Sequence, residues 1–253
     1  MDEKLYGKER YYDMWYELFK ESLRGMNIGI GGVIETSGEL FVLNAIKNTG
    51  RKINTLFDVG ANTGEYTKLL LRYFPDAFIY SFEASKMTYK KLKENIQSER
   101  VVLNNIGISN DTTKGILYYD KECSGLASLY DRQLDYLGID FSLSEEIELD
   151  TLDHYCETHN IDIIDFLKMD IEGNELNALK GANRLLKEKR INSIQIEFGG
   201  CNIDSRTYFR DYWNLLHNDF ICYRILQDGF REIARYGERL ECFVTTNYLF
   251  MKR

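Results

Sequence analysis

The sequence predicts an α/β fold in which helices cover both faces of a mostly parallel sheet. From residue 55 onward, short apolar runs alternate with segments of helical periodicity, and this alternation is typical of doubly wound sheets. The 253 residues are enough for one large domain of this kind. Pro75 is the only proline, so no proline-rich linker divides the chain.

The strands are predicted from apolar runs that end in glycine or in a charged residue. Seven strands are expected in the main sheet, the last of them antiparallel, at 55–60, 78–84, 101–109, 165–171, 191–198, 220–226 and 242–251. Residues 115–120 are predicted to add a hairpin strand. Helices are expected between the strands, at 64–74, 86–97, 174–188 and 206–217.

An N-terminal helical cap is predicted to precede the sheet. Apolar residues recur at roughly helical spacing over 4–24, a glycine-rich loop follows at 25–34, and a second helix is expected at 37–47. The predicted domains are therefore the cap at 1–50 and the sheet domain at 51–253.

Tyrosines are concentrated in this cap, at Tyr6, Tyr11, Tyr12 and Tyr16. These tyrosines have two interpretations. In the first, they pack between helices or at a homodimer contact. In the second, they form an aromatic lid that stacks on a sugar.

The composition limits the partners and the compartment. A net charge of -8 disfavours a nucleic-acid partner, which needs a basic face. No apolar run approaches the length of a membrane span, and the charged N-terminus lacks the apolar core of a signal peptide. The five cysteines show no metal-site spacing and are expected to be reduced thiols. We therefore expect a cytoplasmic protein.

The segment DVGANTG (58–64) lies where the first strand meets the next helix, the usual ligand position in such sheets. Gly60 and Gly64 allow a tight turn, and Asn62 tolerates a left-handed conformation. Glu83 ends the second strand, 19 residues after Gly64, where an acid can accept both hydroxyls of a ribose. The pair predicts a nucleoside cofactor.

Glu65 distinguishes between two such cofactors. A carboxylate in the first helical turn would repel the pyrophosphate of NAD, whereas S-adenosylmethionine (SAM) has no phosphate and carries two cationic groups. SAM is therefore the expected cofactor. A purely structural turn is the remaining interpretation.

Several segments resemble the FkbM-type methyltransferase family. They are DVGANTGEYT (58–67), SFEAS (81–85), IQIEF (194–198) and, most specifically, the stretch 148–186 that contains LDTLD and IDFLKMDIEGNE. The resemblance, over about 54–250, implies a Rossmann-like class I methyltransferase fold, SAM as donor and O-methylation, commonly of sugars or polyketide-type products. The chain departs from the family pattern at Ala84-Ser85 and at His154.

The predicted cofactor contacts lie at the carboxyl ends of the first strands. Asn105 and Ile106 follow the third strand, where an adenine usually packs, although an ordinary β-turn explains them equally well. The full predicted set is Asp58, Gly60, Asn62, Thr63, Gly64, Glu65, Glu83, Ala84, Asn105, Ile106 and Asp170.

The predicted catalytic residues end two neighbouring strands. Alternation places Lys168, Asp170 and Glu172 on one side of a strand, and Glu197 ends the next. Asp170 or Glu197 would act as a general base on a hydroxyl, with Glu172 and Lys168 orienting or tuning it. A structural salt-bridge cluster is the alternative. A divalent metal on these carboxylates is left open and is not predicted.

The predicted function is SAM-dependent O-methylation of a sugar hydroxyl, on a nucleotide-linked sugar or a capsular or surface polysaccharide. The sugar is implied by the family resemblance alone. Alternatives are N-methylation of an amine or phosphoramidate and a non-catalytic SAM-binding module. An NAD-dependent oxidoreductase is disfavoured by Glu65.

Overall fold

The computed structural model describes residues 5–253, so residues 1–4 of the predicted cap lie outside the described residues. The helices are α1 (Tyr12–Gly25), α2 (Ile34–Ser37), α3 (Glu39–Lys47), α4 (Glu65–Tyr73), α5 (Lys86–Asn95), α6 (Leu152–Thr158), α7 (Glu175–Lys180), α8 (Asn183–Lys187), α9 (Cys201–Asp204) and α10 (Phe209–Leu216). The strands are β1 (Thr55–Val59), β2 (Phe78–Phe82), β3 (Val101–Asn104), β4 (Gly107–Ile108), β5 (Thr113–Tyr119), β6 (Leu143–Asp150), β7 (Phe166–Met169), β8 (Ser193–Phe198), β9 (Phe220–Leu226), β10 (Gly229–Ile233) and β11 (Thr246–Lys252).

The main sheet has the order β10-β9-β11-β8-β7-β1-β2-β3. Strands β1, β2, β3, β7 and β8 run parallel, and β11 runs antiparallel between β8 and β9. The predicted fold class is confirmed, including the antiparallel C-terminal strand. The sheet has eight strands instead of the predicted seven, because the polar segment β10 adds a half-exposed edge strand to β9.

A second sheet has three strands in the order β4-β6-β5. The predicted strand at 115–120 belongs to this sheet as β5, and its partner β6 was not predicted. The sequence of β6, LSEEIELD, buries Ile147 and Leu149, which pack with Leu117 of β5. Its exposed acids obscure the period-two pattern of a strand covered on one face.

Side chains from β1 alternate between two helical layers. Phe57 packs on one face with Tyr155 of α6, at a ring separation of 6.0 Å in an edge-to-face arrangement. Leu56 packs on the other face with Val42 and Leu43 of α3. Helix α3 therefore shares a core with the sheet, and the domain boundary expected near residue 50 stays a prediction.

Helix α1 contrasts with α3, because none of its residues is buried. Tyr12 and Tyr16 stack at 6.3 Å, and both are exposed. Packing against the described residues, 5–253, does not explain these rings, so the homodimer contact and the sugar lid stay predictions. Within residues 5–253, no helix combines the length and apolar character needed to cross a membrane.

The cap is joined to β9 by a close backbone approach. Asn27 Nδ2 donates to the carbonyl oxygens of Ser37 (2.8 Å) and Ile225 (3.1 Å). Gly38 has a φ of 90°, and a Cβ at this position would overlap the carbonyl oxygen of Leu226. Only glycine fits both the conformation and the space.

We expect Gly38→Ala to lower the free energy of unfolding by about 1–2 kcal/mol through its positive φ, and by about 1–3 kcal/mol more through the overlap with β9. Gly50→Ala is the matched control, because Gly50 also has a positive φ (73°) but a Cβ there would meet nothing within 4 Å. Urea unfolding of both variants measures the difference. Equal destabilisation would contradict a tight contact between the cap and β9.

Candidate active site

The glycine turn between β1 and α4 has the predicted left-handed conformations. Gly60, Asn62 and Gly64 have φ values of 85°, 48° and 95°. A Cβ at Gly60 would overlap the carbonyl oxygen of Asp170, the residue that follows β7. The turn therefore lies directly against the end of the neighbouring strand, which is where the order of the parallel strands changes direction.

Glu83 fastens this turn to the end of β2. Its two carboxylate oxygens accept hydrogen bonds from the backbone N–H groups of Asn62 and Ser85, both at 2.9 Å. Glu83 is 9% exposed, and burial raises the pKa of its carboxyl to about 7 against the opposing effect of these two hydrogen bonds. The predicted ribose contact stays a prediction, and the carboxylate lines the cleft in which a ribose would lie.

A cleft of about 710 Å³, partly open to solvent, lies at the carboxyl ends of β1, β2 and β7. The predicted residues that line it are Gly60, Asn62, Glu83, Ala84, Ile106, Asp170 and Glu172. Its opposite wall was not predicted, and comes from the second sheet and the loop after β5. That wall consists of Leu117, Ser124, Gly125, Ala127, Leu129, Ile147 and Leu149.

Asp58 and Asn105 support the cleft from behind its lining. Asp58 is fully buried, where its Oδ2 accepts a hydrogen bond of 2.6 Å from Thr67 Oγ1 and burial raises the pKa of its carboxyl. Asn105 Nδ2 donates to the carbonyl oxygens of Glu83 (2.9 Å) and Ala84 (3.0 Å). Asp58 thus fixes the side chain of Thr67 on α4, and Asn105 holds the backbone after β2; neither side chain lines the cleft.

Three other predicted contacts lie beside the cleft. The carbonyl oxygen of Thr63 accepts a hydrogen bond from Asn95 Nδ2, and Gly64 packs on the side chains of α5. Glu65 is exposed and pairs with Lys68 at 3.0 Å. A direct cofactor contact through the side chain of Glu65 therefore has no support from its position.

Asp170 lies at the cleft with 37% of its side chain exposed. Its Oδ2 accepts a hydrogen bond of 3.1 Å from the ammonium of Lys168, which is buried beneath it. The ammonium also lies 4.7 Å from the ring centroid of Tyr66 on α4. The predicted alternation thus holds for Lys168 and Asp170, and Lys168 can orient the carboxylate without reaching the cleft itself.

Glu172 leaves the predicted alternation, because β7 has ended and the residue adopts a φ of 50°. Its carboxylate accepts a hydrogen bond from the guanidinium of Arg132, which also lies 3.4 Å from Asp204. Burial, followed by the charge of Asp170, raises the pKa of Glu172 to about 8. A positive φ outside glycine is a strain that is common at functional sites.

Glu197 lies next to these groups because Met169 of β7 pairs with Ile196 of β8. The ligand atoms of Glu172, Glu197 and Cys201 are all within 4.8 Å of one another. Burial raises the pKa of Glu197 well above its ordinary value, and the charges of Asp170 and Glu172 raise it further. Such a cluster could hold a metal ion, but Arg132 already supplies a cation to Glu172, and metal dependence is left open.

Sequence reasoning missed two residues that shape this region. Glu175 is fully buried and accepts hydrogen bonds from the N–H groups of Ile171 (2.9 Å) and Gly173 (3.1 Å), which orders the turn after β7. The acid three residues after Glu172 was a signal of such a turn. Arg132 lies in a long loop between β5 and β6, where no periodicity marks it.

Comparison with known proteins points to one family. A family model described as the Methyltransferase FkbM domain matches residues 58–225, about two thirds of the chain. Methyltransferase 1 of Beauveria bassiana is 23% identical over 142 residues, which are 50% of this chain and 57% of the relative. The 2-O-methyltransferase NoeI of Sinorhizobium fredii is 25% identical over 146 residues, 53% of this chain and 60% of that protein. The chain thus matches less than two thirds of either relative.

The comparison with solved structures includes two proteins determined in complex with S-adenosylhomocysteine (SAH). SMU.1697c of Streptococcus mutans has a TM-score of 0.47 at 10% identity, covering 85% of this chain and 98% of that one. The plantazolicin methyltransferase BpumL has a TM-score of 0.44 at 10% identity, covering 98% and 93%. Neither similarity carries a conclusion about the substrate of this chain.

The raised pKa of Glu83 predicts a pH-dependent affinity for SAH. Only the ionised carboxylate can accept from both ribose hydroxyls, so protonation below pH 7 competes with binding. We expect the Kd measured by calorimetry to increase about tenfold from pH 8 to pH 6.

Glu83→Gln is the control, because Glu172 and Glu175 also have raised pKa values, of about 8 and about 7. This variant should bind SAH more weakly by about 1.5–3 kcal/mol, the value of a hydrogen bond to a charged group, and should lose the dependence on pH. A wild-type affinity that stays constant over this range would contradict the ribose contact.

Proposed function

Because the chain belongs to the FkbM methyltransferase family and is a SAM-dependent methyltransferase, we propose that it methylates a hydroxyl group of a sugar. The family, the enzyme class and the cofactor predicted from the sequence are confirmed. The proposed acceptor is a small molecule, either a nucleotide-linked sugar or a unit of a capsular or surface polysaccharide. The similarity to a protein named as a 2-O-methyltransferase supports methylation of oxygen.

The main support is the position of Asp170. Its carboxylate is partly exposed at the cleft and is held from below by the ammonium of Lys168 at 3.1 Å. A hydroxyl is a weak nucleophile, so a carboxylate that removes its proton during methyl transfer accelerates the reaction. A base that is fixed in place and still open to the acceptor can do this without reorganising.

The remaining residues have distinct roles in this proposal. SAM supplies an electrophilic methyl group on a sulfonium. Glu83 binds the ribose hydroxyls, and Gly60 lets the backbone of the turn approach the cofactor closely. Asp170 accepts the proton of the acceptor hydroxyl.

Glu197 is the second candidate for the base, because it ends the strand next to β7 and its carboxylate lies within 4.8 Å of that of Glu172. Burial raises its pKa, so it would have to lose its own proton before it could act as a base. Glu172, held by Arg132, orients the acceptor beside it. A structural role for this cluster is the alternative, and activity measurements separate the two.

The acidic net charge and the reduced cysteines support a cytoplasmic location, which stays a prediction. All five cysteines are free in the structure. We also propose a homodimer, and its support is the exposed tyrosines of α1.

We expect Asp170→Asn to reduce kcat for methyl transfer to a sugar hydroxyl by about 10²–10⁴-fold, and to leave the Kd for SAH nearly unchanged. Formation of SAH with a panel of nucleotide-linked sugars measures turnover. Asp76→Asn, a substitution of an exposed aspartate in the loop before β2, is the matched control and should retain full activity.

Other outcomes distinguish the alternatives. Undiminished turnover of Asp170→Asn would remove this residue as the base and leave Glu197 to be tested in the same way. A mild loss with amine acceptors would favour N-methylation, which depends less on a base. Tight SAH binding without turnover of any acceptor would indicate a non-catalytic module.

A further inference from the structure

The ammonium of Lys168 is shared by acids from three elements. Asp170 accepts its hydrogen bond. Asp58 of β1 lies opposite Lys168 in the register of the sheet. On the other side Lys168 lies opposite Gln195 of β8, the residue that donates to Glu39 of α3. Burial lowers the pKa of Lys168, but the charges of Asp170, Asp58 and Glu39 raise it, and the net direction is upward. Lys168 is therefore charged at neutral pH.

Glu39 is the member of this group that the cap contributes. It is 5% exposed at the start of α3, where its Oε1 accepts from Gln195 Nε2 (2.8 Å) and its Oε2 accepts from Ser37 Oγ (3.0 Å). Hydrogen bonds accepted by both carboxylate oxygens favour its ionised form. Burial raises the pKa of Glu39, and the charge of Lys168 is the largest influence that opposes this rise.

Asp58 depends on the same ammonium. Among residues 5–253, its Oδ1 has no hydrogen-bond partner and is fully buried. The charge of Lys168 is the largest influence that favours its ionised form. One buried cation thus faces three carboxylates, and the potential at Asp170 is the sum of the positive contribution of Lys168 and the negative contributions of Asp58 and Glu39.

We propose that Glu39 is a positioning residue for methyl transfer, whose negative charge offsets that of the Lys168 ammonium and so keeps the electrostatic potential at Asp170 and the cleft negative. Glu39 lies outside the segment 58–225 that matches the family. The cap would then contribute to the reacting centre through charge as well as through packing. The inference relies on SAM as the methyl donor and on Asp170 facing it, and is independent of the sugar acceptor.

The comparison of SAM with SAH tests this proposal without an acceptor. SAM carries a sulfonium charge and SAH does not, while the adenosine and amino-acid parts are the same. The ratio of their Kd values therefore measures the negative field at the transferred methyl group. Glu39→Gln removes one buried negative charge at nearly constant size, and leaves the positive charge of Lys168 less compensated near Asp170.

We expect Glu39→Gln to weaken SAM binding about three- to tenfold, and to change SAH binding less than about twofold. Calorimetry at pH 8 measures both constants. Turnover, where an acceptor is known, should fall with the affinity for SAM. Glu35→Gln is the matched control, because Glu35 is an exposed acid of the same cap, and both constants should match the wild type.

An unchanged ratio of the two constants in Glu39→Gln would overturn the proposal. An equal loss of SAM and SAH affinity together with a lower Tm would also overturn it, because Glu39 would then be merely structural. If Glu39→Gln does not fold, Glu39→Asp decides instead. This variant keeps the negative charge but moves it back by the length of one methylene group. We therefore expect a preference for SAM over SAH between those of the wild type and Glu39→Gln. A wild-type ratio of the two Kd values would count against the proposal.

This test remains informative if the proposed acceptor is wrong. A wild-type protein that methylates no sugar would contradict the sugar proposal but would leave the SAM-to-SAH ratio measurable. A changed ratio in a protein without sugar activity would support the role of Glu39, and would direct the search to other acceptors.

Discussion

The buried ammonium of Lys168 is the interaction on which the site depends. The carboxylates of Glu39 and Asp58 are buried near it, and that of Asp170 extends from it into the cleft. The two buried carboxylates would be costly to bury without a cation. Because one cation interacts with all three carboxylates, a change in the cap, the glycine turn or the catalytic strand affects the other two.

The close approach of the ends of β1 and β7 also couples the parts of the site. Gly60 lies against the carbonyl oxygen of Asp170, and Glu83 holds the turn through the N–H group of Asn62. The turn that would bind the nucleoside is thereby fixed to the residue that would take the proton. Binding of the cofactor and positioning of the base are two results of one backbone arrangement.

The sequence allowed the fold class and the strand ends of the site to be predicted, because buried parallel strands produce continuous apolar runs with a distinct end. It did not reveal β6, whose outward acids mask its alternation, and it joined α7 and α8 into one helix. Gly181 separates them, since a Cβ there would overlap the carbonyl oxygen of Ser109. Contacts between elements distant in sequence leave no local pattern.

The residues of the site also divide into those that the sequence predicted and those that it did not. Residues next to a strand end, such as Glu83 and Asp170, were predicted because topology alone brings strand ends together. Glu39 and Arg132 were not predicted, because each reaches the site from a helix or loop whose position is decided by tertiary packing. Glu65 was assigned by its place in the sequence, and its side chain turns outward to Lys68.

A crystal structure of the complex with SAH tests the central claim most directly. The account predicts the ribose hydroxyls within hydrogen-bond distance of the Glu83 carboxylate, and the sulfur facing Asp170. A ribose bound away from Glu83, or a sulfur directed away from Asp170, would contradict the assignment of this cleft as the site of methyl transfer.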